Sequence, residues 1–152
     1  MNKLKQLLVM AVLALGVAAC GDDPAPEMTN SAAVTGDYYG SVTATSGRIV
    51  VPMTTPGDTV SLTALTATTV RVDYKSATWG QASFPEAAVT KAEDGSYTVV
   101  GTGKIGMISQ NNGQPWEGEA TLDGTVSADR KAYSFTIHIP SLMLNGTTLV
   151  VK

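Results

Sequence analysis

Beyond residue 35 the chain alternates polar and apolar side chains with a period of two, and threonine and valine supply much of that alternation, as half-buried strands require. Tyr38, Gly40, Val42 and Ala44 alternate with Tyr39, Ser41, Thr43 and Thr45. Ser46-Gly47 then turns into a short run at residues 48–53, which Pro52 confines to an edge or an end. Thr54-Thr55-Pro56-Gly57-Asp58 predicts a turn, and Val60, Leu62 and Ala64 follow on one face with Ser61 and Thr63 on the other. The clearest strand sets Val70, Val72 and Tyr74 against Arg71, Asp73 and Lys75, which fixes its buried side. Trp79-Gly80 and Phe84-Pro85 predict a looser connection before residues 87–91, and Ala92-Glu93-Asp94-Gly95 a hairpin loop into residues 96–102. A polar loop at 109–115 precedes a long strand at 116–127, in which Ala120 and Leu122 alternate with Glu119, Thr121 and Asp123. Ala128-Asp129-Arg130-Lys131 turns the chain into Tyr133, Phe135, Ile137 and Ile139, alternating with Ser134, Thr136 and His138. Pro140 ends that strand, and Asn145-Gly146 leads into the closing one at 147–151.

The count comes to about eight to ten short antiparallel strands, and helical patterning is almost absent. The predicted fold is therefore all-β, an antiparallel up-and-down barrel of about eight strands, because full closure removes exposed edges. No repeat of about 20 to 50 residues recurs, which argues against propellers and solenoids.

The first residues break the pattern. Lys3 and Lys5 precede an apolar run at 7–17 and the small residues Val17-Ala18-Ala19, the order of a secretory signal and too short a run to span a bilayer comfortably. Val17-Ala18-Ala19-Cys20 resembles the bacterial lipobox, in which the signal is cut before the cysteine and the cysteine is acylated. Cys20 is the chain's only cysteine, so no intramolecular disulfide explains its place. Several acyl chains anchor durably where one is marginal. Residues 21–34 carry Pro24 and Pro26 and few large apolar side chains, which reads as a tether. The expected organisation is a signal peptide at 1–19, an acylated Cys20 with flexible tether at 20–34, and a barrel domain at 35–152. Cys20-Gly21-Asp22-Asp23 is similar to the acidic start of surface-exported lipoproteins of some Gram-negative anaerobes. A solvated acidic linker has the same composition, and both readings stand.

The net charge is -3, and removal of Lys3 and Lys5 makes the mature chain more acidic, so there is no electrostatic footprint for nucleic acid. One cysteine and one histidine exclude Cys/His zinc sites, two-histidine metal motifs and HExxH chemistry. No cofactor or metal is expected.

Thr35-Gly36-Asp37-Tyr38-Tyr39-Gly40, Glu93-Asp94-Gly95-Ser96-Tyr97-Thr98-Val99, and Ala120-Thr121-Leu122-Asp123-Gly124-Thr125-Val126 followed by Tyr133-Ser134-Phe135-Thr136-Ile137 together resemble the calycin-like lipoproteins of Gram-negative anaerobes. The likeness spans residues 35–152. It implies a small lipid-anchored protein with an eight-stranded lipocalin-like barrel, and it brings no agreed catalytic residues and no established ligand. The Asn/Gln-rich stretch at 109–115 departs from the family pattern.

Among candidate sites, His138 would be the natural general base, with Ser134 and Thr136 on the same face and Asp123 or Glu119 across the hairpin. A solvated polar face gives the same pattern, and no Gly-x-Ser-x-Gly elbow accompanies it, so the chain is not expected to be an enzyme. Glu117 and Glu119 share a strand face, as exterior charges do; glycosidase carboxylates normally come from different elements. Trp79, Phe84 and Trp116 fall near strand ends, where aromatics either line the mouth of an apolar pocket or pack as a lid that closes the barrel. Tyr38, Tyr74, Tyr97, Tyr133 and Phe135 are expected in the core. The function expected is that of a noncatalytic cell-envelope lipoprotein, held at the outer membrane through Cys20 and binding a small apolar or amphipathic ligand. The alternative is a structural or adhesive envelope accessory with a filled barrel.

Overall fold

The period-two alternation closes on itself in a computed structural model that describes residues 28–47, 53–143 and 146–152. Eight strands follow in order: β1 (Gly36–Ser46), β2 (Met53–Ala64), β3 (Thr69–Ser76), β4 (Gly80–Lys91), β5 (Tyr97–Ile108), β6 (Pro115–Val126), β7 (Tyr133–Ile139) and β8 (Thr147–Val151). Each is antiparallel to the next, and β8 pairs back onto β1 from Val42↔Val151 to Ser46↔Thr147, so the all-β up-and-down barrel is closed. The expected signal peptide at 1–19, Cys20, most of the expected tether and most of the run at 48–53 lie outside the described residues.

Two turn-like sequences are strand in the structure. Thr54-Thr55-Pro56-Gly57-Asp58 lies within β2, because residues on both sides of it pair with β1: Thr54 with Thr43, and Asp58 with Gly40. The Pro-Gly pair makes a bulge there, with Gly57 at φ +90°, and the register slips between Gly40 and Ser41. Likewise Phe84-Pro85 belongs to β4, whose register shifts against both β3 and β5 in this region. Pro85 is tolerated in a paired strand because its missing N–H falls at the bulge.

The tether expectation needs correction at its C-terminal end. Helix α1 (Asn30–Val34) is capped by Thr29, whose hydroxyl accepts from the Ala32 N–H at 3.3 Å. The helix is docked, not loose: the Ser31 N–H donates to the Ala67 carbonyl at 3.1 Å, the Ser31 hydroxyl donates to the Thr66 carbonyl, and Asn30 Nδ2 reaches the Val89 carbonyl at 3.3 Å. Val34 is fully buried, and its carbonyl accepts from the Tyr38 hydroxyl at 2.6 Å. Five residues are too few to print a helical period on the sequence.

The shaft of the barrel is filled. Val42, Val60, Val70, Val72, Val99, Ile105, Ile137 and Leu149 are fully buried, with Tyr74, Phe84 and Phe135 among them. An eight-strand barrel is just wide enough for side chains to fill. Inward-facing glycines make space for the rings: a Cβ on Gly103 would sit 2.9 Å from the Phe84 ring, and one on Gly124 would sit 2.7 Å from Phe135. The expected aromatic core is present, with Tyr133 only half-buried and packed edge-on against Tyr38 at 5.0 Å. The turn at 128–131 and the loops at 92–95 and 109–115 stand where alternation places them.

Candidate ligand site at the barrel mouth

Because the strands run up and down in order, the β1–β2, β3–β4, β5–β6 and β7–β8 connections share one end of the barrel. Helix α1, bonded to residues 66 and 67 of the β2–β3 connection, is at the other. At the end away from α1, a cavity of about 470 Å³ is lined by residues from all four connections. That volume lies in the usual range for small-molecule sites.

Trp79 closes the short β3–β4 connection. The Ser76 hydroxyl accepts from the N–H groups of Thr78 (3.2 Å) and Trp79 (3.1 Å), which locks the turn. Gly80 follows at φ +82° and passes so near β5 that a Cβ on it would meet the Gly106 carbonyl at 2.1 Å, so only glycine brings Trp79 to this wall. Trp116 pairs with Met107 at the mouth end of the β5–β6 ribbon. Its indole lies over Gly118, where a Cβ would fall 2.3 Å from the ring. Loop 109–114 is held by the Ser109 N–H on the Gln114 carbonyl and the Gly113 N–H on the Ser109 carbonyl, both at 2.8 Å. It adds Ser109, Gln110 and Asn111 to the lining. The β7–β8 connection adds Leu142 and Met143; Thr147 Oγ1 donates to the Leu142 carbonyl at 3.1 Å, and Met143 takes the left-handed backbone conformation at φ +62°.

Met53, Thr78 and Ile108 complete the lining, and among the described residues none of its side chains is charged. Met53, Ile108 and Met143 are themselves largely exposed, which leaves an apolar rim in water. Trp79 is 8% exposed, and its Nε1 proton has no acceptor among the described residues. Buried polar groups nearly always have a partner, so this donor stands out.

Of the residues expected to line a mouth, Trp79 and Trp116 come together and Phe84 does not. Phe84 is fully buried in the shaft, because it follows the buried Ala82 by two residues on the inner face of β4, beside Gly103. Cys20 lies outside the described residues. Met53, Met107, Leu142 and Met143 escaped sequence reasoning because their convergence depends on which loops share an end. The polar stretch at 109–115 was the one signal pointing there.

The remaining candidates lie on the outer wall. His138 is exposed, with Nδ1 3.2 Å from Thr148 Oγ1, and among the described residues no carboxylate pairs with it. Glu117 pairs with Lys104 at 3.1 Å, both well exposed, an interaction worth little in water. Asp73 holds Arg71 at 2.9 Å and accepts from the Ser83 hydroxyl at 2.9 Å, beside an open groove across β3 to β6. Among the described residues no three His, Cys, Asp or Glu side chains gather as around a metal ion, and no helix is long and apolar enough to cross a membrane.

Fold and cavity define a closed, lipocalin-like eight-strand barrel with a filled shaft and a pocket at one mouth. No family model, curated protein or solved structure matches the chain.

Proposed function

We propose that this chain is a noncatalytic lipoprotein of the bacterial cell envelope, of the calycin-like kind, which holds a small apolar or amphipathic ligand in the mouth of its barrel. The observation that carries the ligand reading is the cavity of about 470 Å³ that brings together both of the chain's tryptophans. A pocket of this size with a mostly apolar lining and a few polar groups suits a small molecule. The envelope part rests on the signal-like residues 1–19 and on Cys20, which would be cut, acylated and held at the outer membrane.

A second reading draws on the filled shaft. With Tyr74, Phe84 and Phe135 occupying the centre, there is no deep calyx, and an accessory that works through its outer surface needs none. Native mass spectrometry of the protein purified from its own host separates the two. A lipid or other apolar molecule travelling with the protein is expected; repeated recovery of bare protein favours the accessory.

A further inference from the structure

We propose that Met53 and Met143, on the rim of the mouth cavity, are a modification site at which hydrogen peroxide turns the thioethers into sulfoxides and loosens the hold of the cavity on an apolar molecule; this inference rests on the ligand reading above. Of the four methionines that follow Cys20, three (Met53, Met107 and Met143) line this one cavity, and each comes from a different part of the mouth. Met53 is 51% exposed and Met143 49%, whereas Met107 is half-buried and paired with Trp116. The oxidant has to reach the sulfur, so exposure ranks the rim pair ahead of Met107. No cysteine stands among the described residues to take the oxidant first.

Met143 is also held in an unusual conformation. Its φ of +62° is one that few residues other than glycine adopt, and the Thr147 hydroxyl pins the connection by donating to the Leu142 carbonyl at 3.1 Å. Strain of this kind gathers at functional positions, and here it sets a flexible, polarisable side chain against the cavity.

The chemistry is a two-electron oxygen transfer. The sulfur lone pair attacks one peroxide oxygen, the S–O bond forms as the O–O bond breaks, and the displaced hydroxide leaves as water with the proton of the transferred oxygen. The sulfoxide oxygen then needs a donor or water. It either draws water into the cavity or turns the side chain out to solvent, and in both cases an apolar ligand loses that wall. Enzymatic reduction of the sulfoxides restores the thioethers, so the change is reversible.

Both tryptophans of the full chain line the cavity, so contact quenching by bromodecanol, an alkanol with a terminal bromine, reads its occupancy. Limited treatment with hydrogen peroxide is expected to add oxygen at Met53 and Met143 before Met107, by peptide mass mapping, and to weaken bromodecanol about fivefold or more. Methionine sulfoxide reductases for both epimers should restore the binding. A chain with Met53→Leu and Met143→Leu should lose no further affinity on treatment, whatever its starting value. Met28→Leu should respond as the unaltered chain does, because Met28 is 69% exposed but precedes α1 at the other end of the barrel. Unchanged binding by a chain oxidised at both rim positions, or an equal loss in the double variant, overturns the proposal and leaves the ligand reading intact. Oxidation of Met107 as early as the rim pair overturns the assignment of the site to Met53 and Met143. Should the double variant fail to fold, the unaltered chain decides: binding that stays lost after both sulfoxides are reduced overturns the proposal. Failure of the untreated chain to bind bromodecanol overturns the ligand reading itself.

Discussion

The Tyr74 hydroxyl donates to the Asp58 carboxylate inside the barrel, where Tyr74 is fully buried and Asp58 is 2% exposed. A carboxylate so far from water depends on its partner. Tyr74→Phe removes the donor and strands the charge, and is expected to cost about 2 to 4 kcal/mol in urea unfolding. Tyr74→Phe with Asp58→Leu replaces both groups by apolar ones and should recover part of that loss. A single-variant cost below about 0.5 kcal/mol would show that Asp58 finds its partner elsewhere.

The same pair sets a pH dependence. Burial, and after it the bond to Asp58, pushes the Tyr74 hydroxyl well above its ordinary value of 10.0. The folded state therefore keeps a proton that the unfolded state releases. The contribution is complete below about pH 10 and is lost as pH rises further, at up to about 1.4 kcal/mol per pH unit. Tyr38 is shifted the same way by burial, opposed by Arg130 over its ring. Urea unfolding between about pH 9 and 11 should show stability falling, with a slope smaller by about one proton in Tyr74→Phe. An unchanged slope in the variant would assign the alkaline loss to other groups.

Helix α1 makes residues 30–34 part of the domain. Val34→Ala empties a buried site at the closed end and is expected to cost about 1 to 3 kcal/mol. A chain that begins at residue 35 also loses the Ser31 bonds to the β2–β3 connection and should melt lower than one that begins at residue 28. Equal melting temperatures would return residues 30–34 to the tether.

Strands such as β3, where Val70, Val72 and Tyr74 alternate with Arg71, Asp73 and Lys75, declare both their period and their buried face. Closure of eight such strands followed from edge protection alone. What misled was local chemistry overruled by pairing: Pro56-Gly57 and Phe84-Pro85 look like turns, yet β1 on one side and β3 and β5 on the other absorb them as bulges. The mouth was legible in its aromatics and not in its depth. Trp79 and Phe84 are five residues apart along one connection and strand; Phe84 shares the inner face of β4 with Ala82, and the glycine at 103 leaves room for its ring in the shaft, while Trp79 stays in the connection and lines the cavity.

Trp116 keeps its place only because residue 118 lacks a side chain. A Cβ there would also meet Ser141 Oγ at 2.8 Å, so the ring and the β7–β8 connection crowd the same spot. Gly118→Ala is expected to cost about 1 to 3 kcal/mol and to swing the indole off the cavity wall, visible as a change in tryptophan emission. Unchanged emission and stability would mean that the ring has room to yield.

Cys20 supports an anchoring prediction that is independent of the barrel. The lipobox-like Val17-Ala18-Ala19-Cys20 predicts acylation at the sulfur, and the cysteine has no disulfide partner to compete for it. Cys20→Ala in the native host should abolish labelling by a radioactive fatty acid and move the protein from the membrane fraction to the soluble one. Persistence of label would sink the lipobox reading. The anchor also carries a geometric consequence, because the described chain enters the barrel through α1 and the cavity opens at the opposite end. Strands of 12 residues, as β4 to β6 are, extend about 3.3 Å per residue, so even with barrel tilt the mouth stands on the order of 30 Å from the helix. A fluorophore attached to a cysteine introduced as Met143→Cys in the Cys20-anchored protein should therefore be quenched less by nitroxide-bearing lipids than the same fluorophore on a cysteine introduced as Glu93→Cys in the β4–β5 loop on the α1 side. Stronger quenching at position 143 would mean that the mouth, with its apolar rim of Met53, Ile108 and Met143, faces the lipid.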